Sequence, residues 1–155
     1  MTLSLVVVLI TGCDPTKKWE KQEQEQIQDY LGTLVDTVFT KEPSGLYYYE
    51  MVPGTGAMPV PNDTVWIKYK GMFLSYQIFG TNYTDTTRFS WIVGTGAVIP
   101  GLDDGVQLMK AGGKSRFLLP SSLAYGHTGY YTIPGYTPLL FEVQLLEVKA
   151  ASGKK

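Results

Sequence analysis

Cysteine and histidine are nearly absent from this sequence. Among 155 residues there is one cysteine, Cys13, and one histidine, His127. A single cysteine excludes an internal disulfide and every metal site built from several cysteines. The lone histidine and the lack of a Gly-x-Ser-x-Gly motif exclude hydrolysis by a serine triad. We therefore expect neither a metal nor another cofactor.

An excess of charge of one sign is also missing. The chain has 13 basic and 14 acidic side chains, which are spread along its length and give a net charge of −1. No basic stripe is available to neutralise a phosphate backbone, so nucleic acid is excluded as a partner. A length of 155 residues fits one domain with a short extension, and such a chain can bury a core without a disulfide or a metal.

The N-terminus has the pattern of an export signal. The apolar run at residues 3–10 is too short to span a bilayer, and it ends in small residues before Cys13, as a signal peptide does. Residues 10–13 have the sequence ITGC, which resembles a bacterial lipobox. The resemblance implies removal of residues 1–12, lipidation of Cys13 and anchoring to a membrane outside the cytoplasm, in the periplasm or cell envelope. The alternative is a frayed apolar N-terminus.

Residues 13–42 are predicted to form a tether followed by an amphipathic helix. Residues 14–28 are rich in Lys, Glu and Gln and predict a solvated tether. A stripe with i, i+3, i+4 spacing then predicts a helix of about four turns. The stripe consists of Ile27, Tyr30, Leu31, Leu34, Val35 and Val38. It has two interpretations, packing onto its own domain or pairing with a second copy in a homodimer.

Residues 43–149 have the pattern of an antiparallel sheet with one helix. Apolar and polar residues alternate at Val65, Ile67 and Tyr69 and again around Val143, which predicts strands with one buried and one solvated face. Leu102, Val106 and Met109 predict a short helix at residues 102–109, which Gly112 and Gly113 end. Residues 150–155 are expected to form a flexible tail.

Two segments of this region carry a family resemblance. Residues 98–109, VIPGLDDGVQLM, and residues 119–126, LPSSLAYG, resemble the signature of the FKBP-type peptidyl-prolyl isomerases, and the resemblance extends from about residue 44 to 148. It implies an α+β fold in which a curved antiparallel sheet, a half-barrel, wraps around one short helix. It also implies cis-trans isomerisation of X-Pro bonds, with proline-containing polypeptides as partners and a role in the folding of exported proteins.

Such a reaction needs an apolar pocket rather than ionised catalytic groups. No bond is broken, and the barrier is roughly 18–20 kcal/mol of lost amide resonance. A dry pocket that holds the pyrrolidine ring and withholds water from the planar carbonyl favours the twisted amide, while a few fixed donors orient the chain. The chain has 11 Tyr, 6 Phe and 3 Trp, a supply that fits such a pocket and also fits any β-core.

The resemblance assigns these roles to particular residues. The implied catalytic residues are Tyr125 and Ile99, whose hydroxyl and backbone N–H contact substrate carbonyls, and Phe79. The implied substrate-binding residues are Tyr69, Phe89, Val98, Leu102, Ile133 and Phe141, with Leu102 at the floor where the family most often has Trp. For each of them the alternative is plain core packing.

Two departures from the family pattern bear on activity. The family usually follows the residue at Phe79 with an Asp that points into the pocket, and here Gly80 stands there. Asp85 would replace that carboxylate only on a rearranged loop. The pocket-covering loop at residues 130–138 is one residue shorter and contains Tyr130 and Tyr131. The sequence therefore leaves three hypotheses: an isomerase of reduced activity, a non-catalytic peptide-binding or chaperone module, and a structural lipoprotein with a filled pocket.

Overall fold

The computed structural model describes residues 15–151. The predicted signal peptide and the lipidation site Cys13 lie outside the described residues, as do residues 152–155 of the predicted tail. The elements are α1 Pro15–Gly32, β1 Thr40–Lys41, β2 Tyr47–Val52, β3 Thr64–Phe73, β4 Ile78–Thr81, β5 Phe89–Ile92, α2 Pro100–Val106, β6 Lys114–Leu119, a 3-10 turn Ser121–Leu123 and β7 Leu139–Lys149. In this stretch neither helix is both long enough and apolar enough to cross a bilayer.

The strands form one antiparallel sheet of seven strands in the order β1-β2-β6-β7-β3-β4, with β5 also paired to β3. The long strands β3 and β7 pair along their whole length at the centre, where β-branched and aromatic residues fit the pleated surface. The predicted sheet and its single short helix within the FKBP-like region are both present.

Helix α2 covers one face of the sheet, here called the inner face. Leu102 and Val106 of α2 pack with Ile67, Phe117 and Val143 in one buried cluster. The helix begins at Pro100, whose missing N–H and fixed φ suit a first helical position, and it ends at Val106, before the predicted end at Met109. The backbone continues as i to i−3 turns at residues 107–109, so Met109 is still buried without belonging to the helix.

Helix α1 begins earlier and ends earlier than the sequence pattern predicts. The prediction of a tether at residues 14–28 is wrong from Pro15 onward, because these residues already form the helix. Lys, Glu and Gln are good helix formers, and their polarity does not distinguish a tether from a polar helix. The helix ends at Gly32, so Leu34, Val35 and Val38 lie beyond it.

Helix α1 packs on the opposite, outer face of the sheet. Ile27 and Tyr30 are buried against side chains that point away from α2, in a second cluster. Their partners in that cluster are Tyr47, Met72, Leu118 and Leu140. This packing supports the interpretation in which the stripe packs onto its own domain. The prediction of one solvated sheet face is wrong here, because α1 covers part of it.

Candidate active site

A cavity of about 640 Å³ opens between the inner face, α2 and the loop that precedes β7. It contains every pocket residue that the family resemblance implies. Its lining consists of Tyr69, Phe79, Gly80, Phe89, Ala97, Val98, Ile99, Leu102, Tyr125, Tyr130, Tyr131, Thr132, Ile133 and Phe141. The structure thus brings the predicted residues to one place, whereas their roles in binding and catalysis stay predictions.

Aromatic rings from neighbouring strands form the walls. Tyr69 on β3 and Phe141 on β7 are diagonal neighbours in the register, and their ring centroids lie 6.3 Å apart. Phe89 packs against Tyr69 edge to face at 5.8 Å. Side chains two residues apart on paired strands point to the same face, so the sheet itself aligns these rings.

A bulge in β4 directs Phe79 into the cavity. Gly71 pairs with Gly80 and Met72 pairs with Ile78, so Phe79 is the extra residue on β4. Its ring meets that of Phe141 edge to face at 5.7 Å. A Cβ atom at position 71 would lie 2.6 Å from Cε2 of Phe79, so only glycine leaves room for the ring there.

The floor and one rim of the cavity belong to α2 and the segment before it. Leu102 is 6% exposed and forms the floor. Asp103 ties α2 to the preceding segment, because its carboxylate accepts hydrogen bonds from Nε1 of Trp91 and the N–H of Gly94, each at 2.8 Å. Within residues 15–151 no group accepts a hydrogen bond from the Ile99 N–H, which leaves this donor available at the rim.

Tyr125 brings a polar group to the opposite rim. Burial raises the pKa of the Tyr125 phenol above its ordinary value of 10.0, and the neighbouring Tyr69 and Tyr130 raise it further. The hydroxyl is therefore protonated and a donor at neutral pH. Its ring stacks on Tyr130 with centroids 5.1 Å apart and an interplanar angle of 10°. No group in the described part of the chain is hydrogen-bonded to this hydroxyl.

Comparison with known proteins decides the family. Residues 55–146 match the family model described as FKBP-type peptidyl-prolyl cis-trans isomerase. The chain belongs to this family. It is 38% identical over 108 residues to FkpA, an FKBP-type peptidyl-prolyl cis-trans isomerase of Escherichia coli, across 70% of this chain and 39% of that protein. The chain thus aligns with well under two thirds of this relative's length.

Solved structures of FKBP-type proteins share the fold. The crystal structure of FkpA from Escherichia coli matches with a TM-score of 0.74 and 31% identity, over 88% of this chain and 62% of that chain. A peptidyl-prolyl cis-trans isomerase from Pseudomonas syringae pv. tomato has the same TM-score at 29% identity, over 88% of this chain and 98% of that chain. These matches confirm the predicted FKBP-like α+β fold.

Gly80 marks a difference from the usual FKBP pocket. A Cβ atom at this position would lie 3.9 Å from both Cε2 and the hydroxyl oxygen of Tyr69, with nothing closer. The pocket has room for the missing side chain, and a carboxylate there would face the Tyr69 hydroxyl. Asp85 does not take its place, because it is exposed on the loop after β4 and is not part of the lining.

Sequence reasoning missed residues that position this FKBP pocket. Asn82 is buried, and its Oδ1 accepts from the Tyr69 N–H at 2.7 Å while its Nδ2 donates to the Ile67 carbonyl at 3.2 Å. Lys68 Nζ donates to the carbonyls of Asn82 and Asp85 and so holds the loop after β4. The sequence gives no signal for such contacts, because the partners are backbone atoms distant in sequence from the side chain.

Proposed function

We propose that the protein is a peptidyl-prolyl cis-trans isomerase that assists the folding of exported polypeptides, with an activity reduced by Gly80. One observation carries the proposal. An aromatic cavity has two hydrogen-bond donors at its rim, the Ile99 N–H and the Tyr125 hydroxyl, and neither has an acceptor within residues 15–151. An apolar pocket suits a proline ring, and two such donors at its rim can bind the carbonyl groups of the polypeptide next to the proline.

The geometry explains how rotation about an X-Pro bond would be accelerated. The pyrrolidine ring would lie between Tyr69, Phe89 and Phe141, above Leu102. The bound ring would displace water from this pocket, so the planar amide would lose the hydration that stabilises its carbonyl. Donors fixed at the rim need no reorganisation when the amide twists, which favours the transition state over the planar ground state.

The proposed reduction in activity follows from Gly80. In FKBP-type isomerases an Asp that points into the pocket usually stands here, and its carboxylate would lie beside the Tyr69 hydroxyl. The space beside Tyr69 is open in this chain. The pocket therefore keeps its shape and its apolar character but lacks one source of electrostatic stabilisation.

The decisive experiment measures the cis-to-trans rate of a short proline peptide with the full chain and with Tyr125→Ala and Phe79→Ala. We expect acceleration by the parent and a loss of about tenfold or more in kcat/KM in each variant. Tyr49→Phe is a control, because this tyrosine packs against Phe39 away from the cavity. Equal rates in the parent and both pocket variants would refute the assignment of the site.

The second candidate is a non-catalytic module that binds proline-containing or apolar segments as a chaperone. The absence of a carboxylate at Gly80 favours it, because binding needs the apolar walls and not the electrostatics. It predicts peptide-induced NMR shifts at the pocket residues with no change in the isomerisation rate. A structural lipoprotein with a filled pocket would give neither effect, and the open cavity of about 640 Å³ argues against it.

We also propose that Cys13 carries a lipid that anchors the domain to a membrane outside the cytoplasm. The lipobox-like sequence of residues 10–13 supports this part of the proposal. Metabolic labelling with a fatty acid, followed by recovery of the protein from the membrane fraction, tests it. Labelling that persists in Cys13→Ala would contradict it.

Pairing of two chains through the predicted stripe would use its residues beyond α1. Ile27 and Tyr30 are buried in their own domain, whereas Val35 and Val38 are 91% and 82% exposed. A homodimer formed through this stripe would bury these two valines. Light scattering of the parent and of the double variant Val35→Ser, Val38→Ser measures the mass, and a monomeric parent would end this part of the proposal.

A further inference from the structure

One face of α1 contacts the domain along its whole length. Trp19, Glu23, Ile27 and Tyr30 follow one another at intervals of four, four and three residues, which places them on the same side of a helix. Ile27 and Tyr30 pack on the outer face of the sheet. Trp19 and Glu23 reach further, to the loop that carries the rim of the cavity.

Glu23 is a carboxylate only 5% exposed in a helix that is otherwise largely polar and solvated. It accepts two hydrogen bonds from one residue, since the N–H of Ser121 donates to Oε1 and the hydroxyl of Ser121 donates to Oε2 at 2.8 Å. Burial of a carboxylate is unfavourable unless hydrogen bonds compensate it, and bonds to an ionised acceptor are short and strong. The two hydrogen bonds therefore tie Ser121 to α1 in a defined position.

Ser121 in turn holds both neighbours of Tyr125. Its carbonyl accepts from the N–H of Ala124 at 2.9 Å and from the N–H of Gly126 at 2.8 Å. These two residues flank Tyr125 in the chain, so the position of Ser121 sets the direction in which the phenol points. A chain of hydrogen bonds thus connects Glu23 through Ser121 to the backbone on either side of Tyr125.

A second contact of α1 converges on the same turn. Trp19 stacks on Tyr136 with centroids 6.5 Å apart and an interplanar angle of 18°. The N–H of Tyr136 donates to the carbonyl of Gly126 at 3.0 Å. Gly126 is thus held from two sides, through Ser121 and through Tyr136, and both of these residues contact α1.

From these contacts we infer that Glu23 is a positioning residue for the prolyl isomerase site and that α1 is part of the site's scaffold. Glu23 holds the turn at residues 121–126 so that the Tyr125 hydroxyl faces the cavity. The inference rests on the proposed function for its kinetic consequence. Its structural consequence, a fixed Tyr125, is measurable without any activity.

The kinetic test compares Glu23→Ala, Glu23→Gln and Glu25→Ala in the full chain, with a proline tetrapeptide as substrate. Glu25 is the matched control, because it lies on the same helix and its side chain is 62% exposed. We expect Glu23→Ala to lower kcat/KM about fivefold to tenfold, since the turn then occupies the competent geometry for a smaller fraction of the time. Glu23→Gln should stay within about twofold, because its amide oxygen accepts from the Ser121 N–H while its amide N–H donates to the Ser121 hydroxyl oxygen.

A double-mutant cycle separates positioning from general stability. In a Tyr125→Phe background the hydroxyl is absent, so Glu23→Ala should lower kcat/KM by less than about twofold further. Additive losses would overturn the inference, because Glu23 would then act on the fold rather than through Tyr125. An unchanged rate in folded Glu23→Ala would overturn it as well. If Glu23→Ala does not fold, Ser121→Ala removes one of the two bonds and takes its place in the cycle.

An NMR measurement keeps the inference testable if the parent does not accelerate isomerisation. In that case the proposed function is refuted. The role of Glu23 in positioning Tyr125 can still be tested from labelled tyrosine signals and amide exchange. Glu23→Ala should shift the ring signals of Tyr125 and speed exchange of the Gly126 amide about tenfold or more, and Glu25→Ala should do neither. Unchanged Tyr125 signals and Gly126 exchange in Glu23→Ala would overturn the inference independently of activity.

Discussion

Helix α2 on the inner face and helix α1 on the outer face cover the same sheet by different means. Helix α2 has seven residues and buries Leu102 and Val106 in the large core. Helix α1 has 18 residues and is mostly polar, and it is held by Ile27, Tyr30 and the buried Glu23. The cavity beside α2 is lined mainly by aromatic and aliphatic side chains, whereas the groove of about 680 Å³ beside α1 is lined largely by polar residues such as Glu20, Gln24 and His127. Helix α2 thus borders the apolar cavity, and α1 supports the sheet from the opposite face.

Variants of Leu139 and Leu140 should show the largest difference in stability between the two faces. They are adjacent on β7, both are 0% exposed, and they point to the inner and the outer cluster respectively. We expect Leu139→Ala to lower the free energy of unfolding by about 3–5 kcal/mol and Leu140→Ala by about 2–3 kcal/mol, because α1 can shift toward the smaller side chain. Urea unfolding with a constant m-value measures both changes. A larger loss in Leu140→Ala would contradict the difference between the faces.

Variants of Phe79 and Phe39 should separate effects on activity from effects on stability. Both rings are half-buried, Phe79 at the cavity and Phe39 against the outer cluster. Each change to Ala should lower the free energy of unfolding by about 1–3 kcal/mol. Only Phe79→Ala should lower the isomerase kcat/KM, by about tenfold, because of the two rings only Phe79 lines the cavity. A comparable fall in folded Phe39→Ala would break the division between the two faces.

The ion pairs of Glu142 form a charged cluster on the outer face. Its carboxylate lies 2.8 Å from Lys114 Nζ and 3.2 Å from Arg116 Nη2. Burial by itself would raise the pKa of Glu142, but the bonds from Lys114 and Arg116 outweigh it and hold the pKa below the ordinary 4.5. A lowered folded pKa means that the stabilisation is present above pH 4.5 and is lost as the pH falls through the folded pKa.

We therefore expect Glu142→Gln to lower the free energy of unfolding by about 1–2 kcal/mol at neutral pH. The difference from the parent should shrink as the pH falls below about 4.5. Glu147→Gln is the control on the same strand, because the Glu147–Arg88 pair is 51% exposed at both side chains and should contribute less than about 0.5 kcal/mol. Thermal melts between pH 3 and pH 7 measure both effects, and a parent-variant difference that does not depend on pH would contradict this explanation.

Gly80→Asp should have the smallest effect. The new carboxylate would face the Tyr69 hydroxyl in space that is now open, so we expect about a threefold gain in kcat/KM and little change in stability. Gly80→Ala is the control, because it adds the Cβ atom without the charge. An equal gain in both variants would mean that chain stiffness, and not the carboxylate, limits the rate.

The pocket was predictable because part of its lining lies in the two segments that resemble the family signature, and the rest follows from the alignment that these segments anchor. Val98, Ile99, Leu102 and Tyr125 belong to those segments, and each of them lines the cavity. Helix α1 was not predictable in the same way. Residues 14–28 offered a polar composition, and the contact of Glu23 with Ser121 joins positions 98 residues apart, which no local pattern reports. Asn82 was missed for the same reason, since its partners are backbone atoms of β3.

The sequence by itself determined the family, the antiparallel sheet and the residues that meet in the cavity, because alternation and motif spacing are local properties of the chain. The tertiary structure decided where α1 begins and ends and which face of the sheet it covers. It also decided which polar side chains are buried, since the stability of a buried carboxylate such as Glu23 depends on the donors that folding brings to it. Those donors come from distant parts of the chain and are specified only when the sheet has formed.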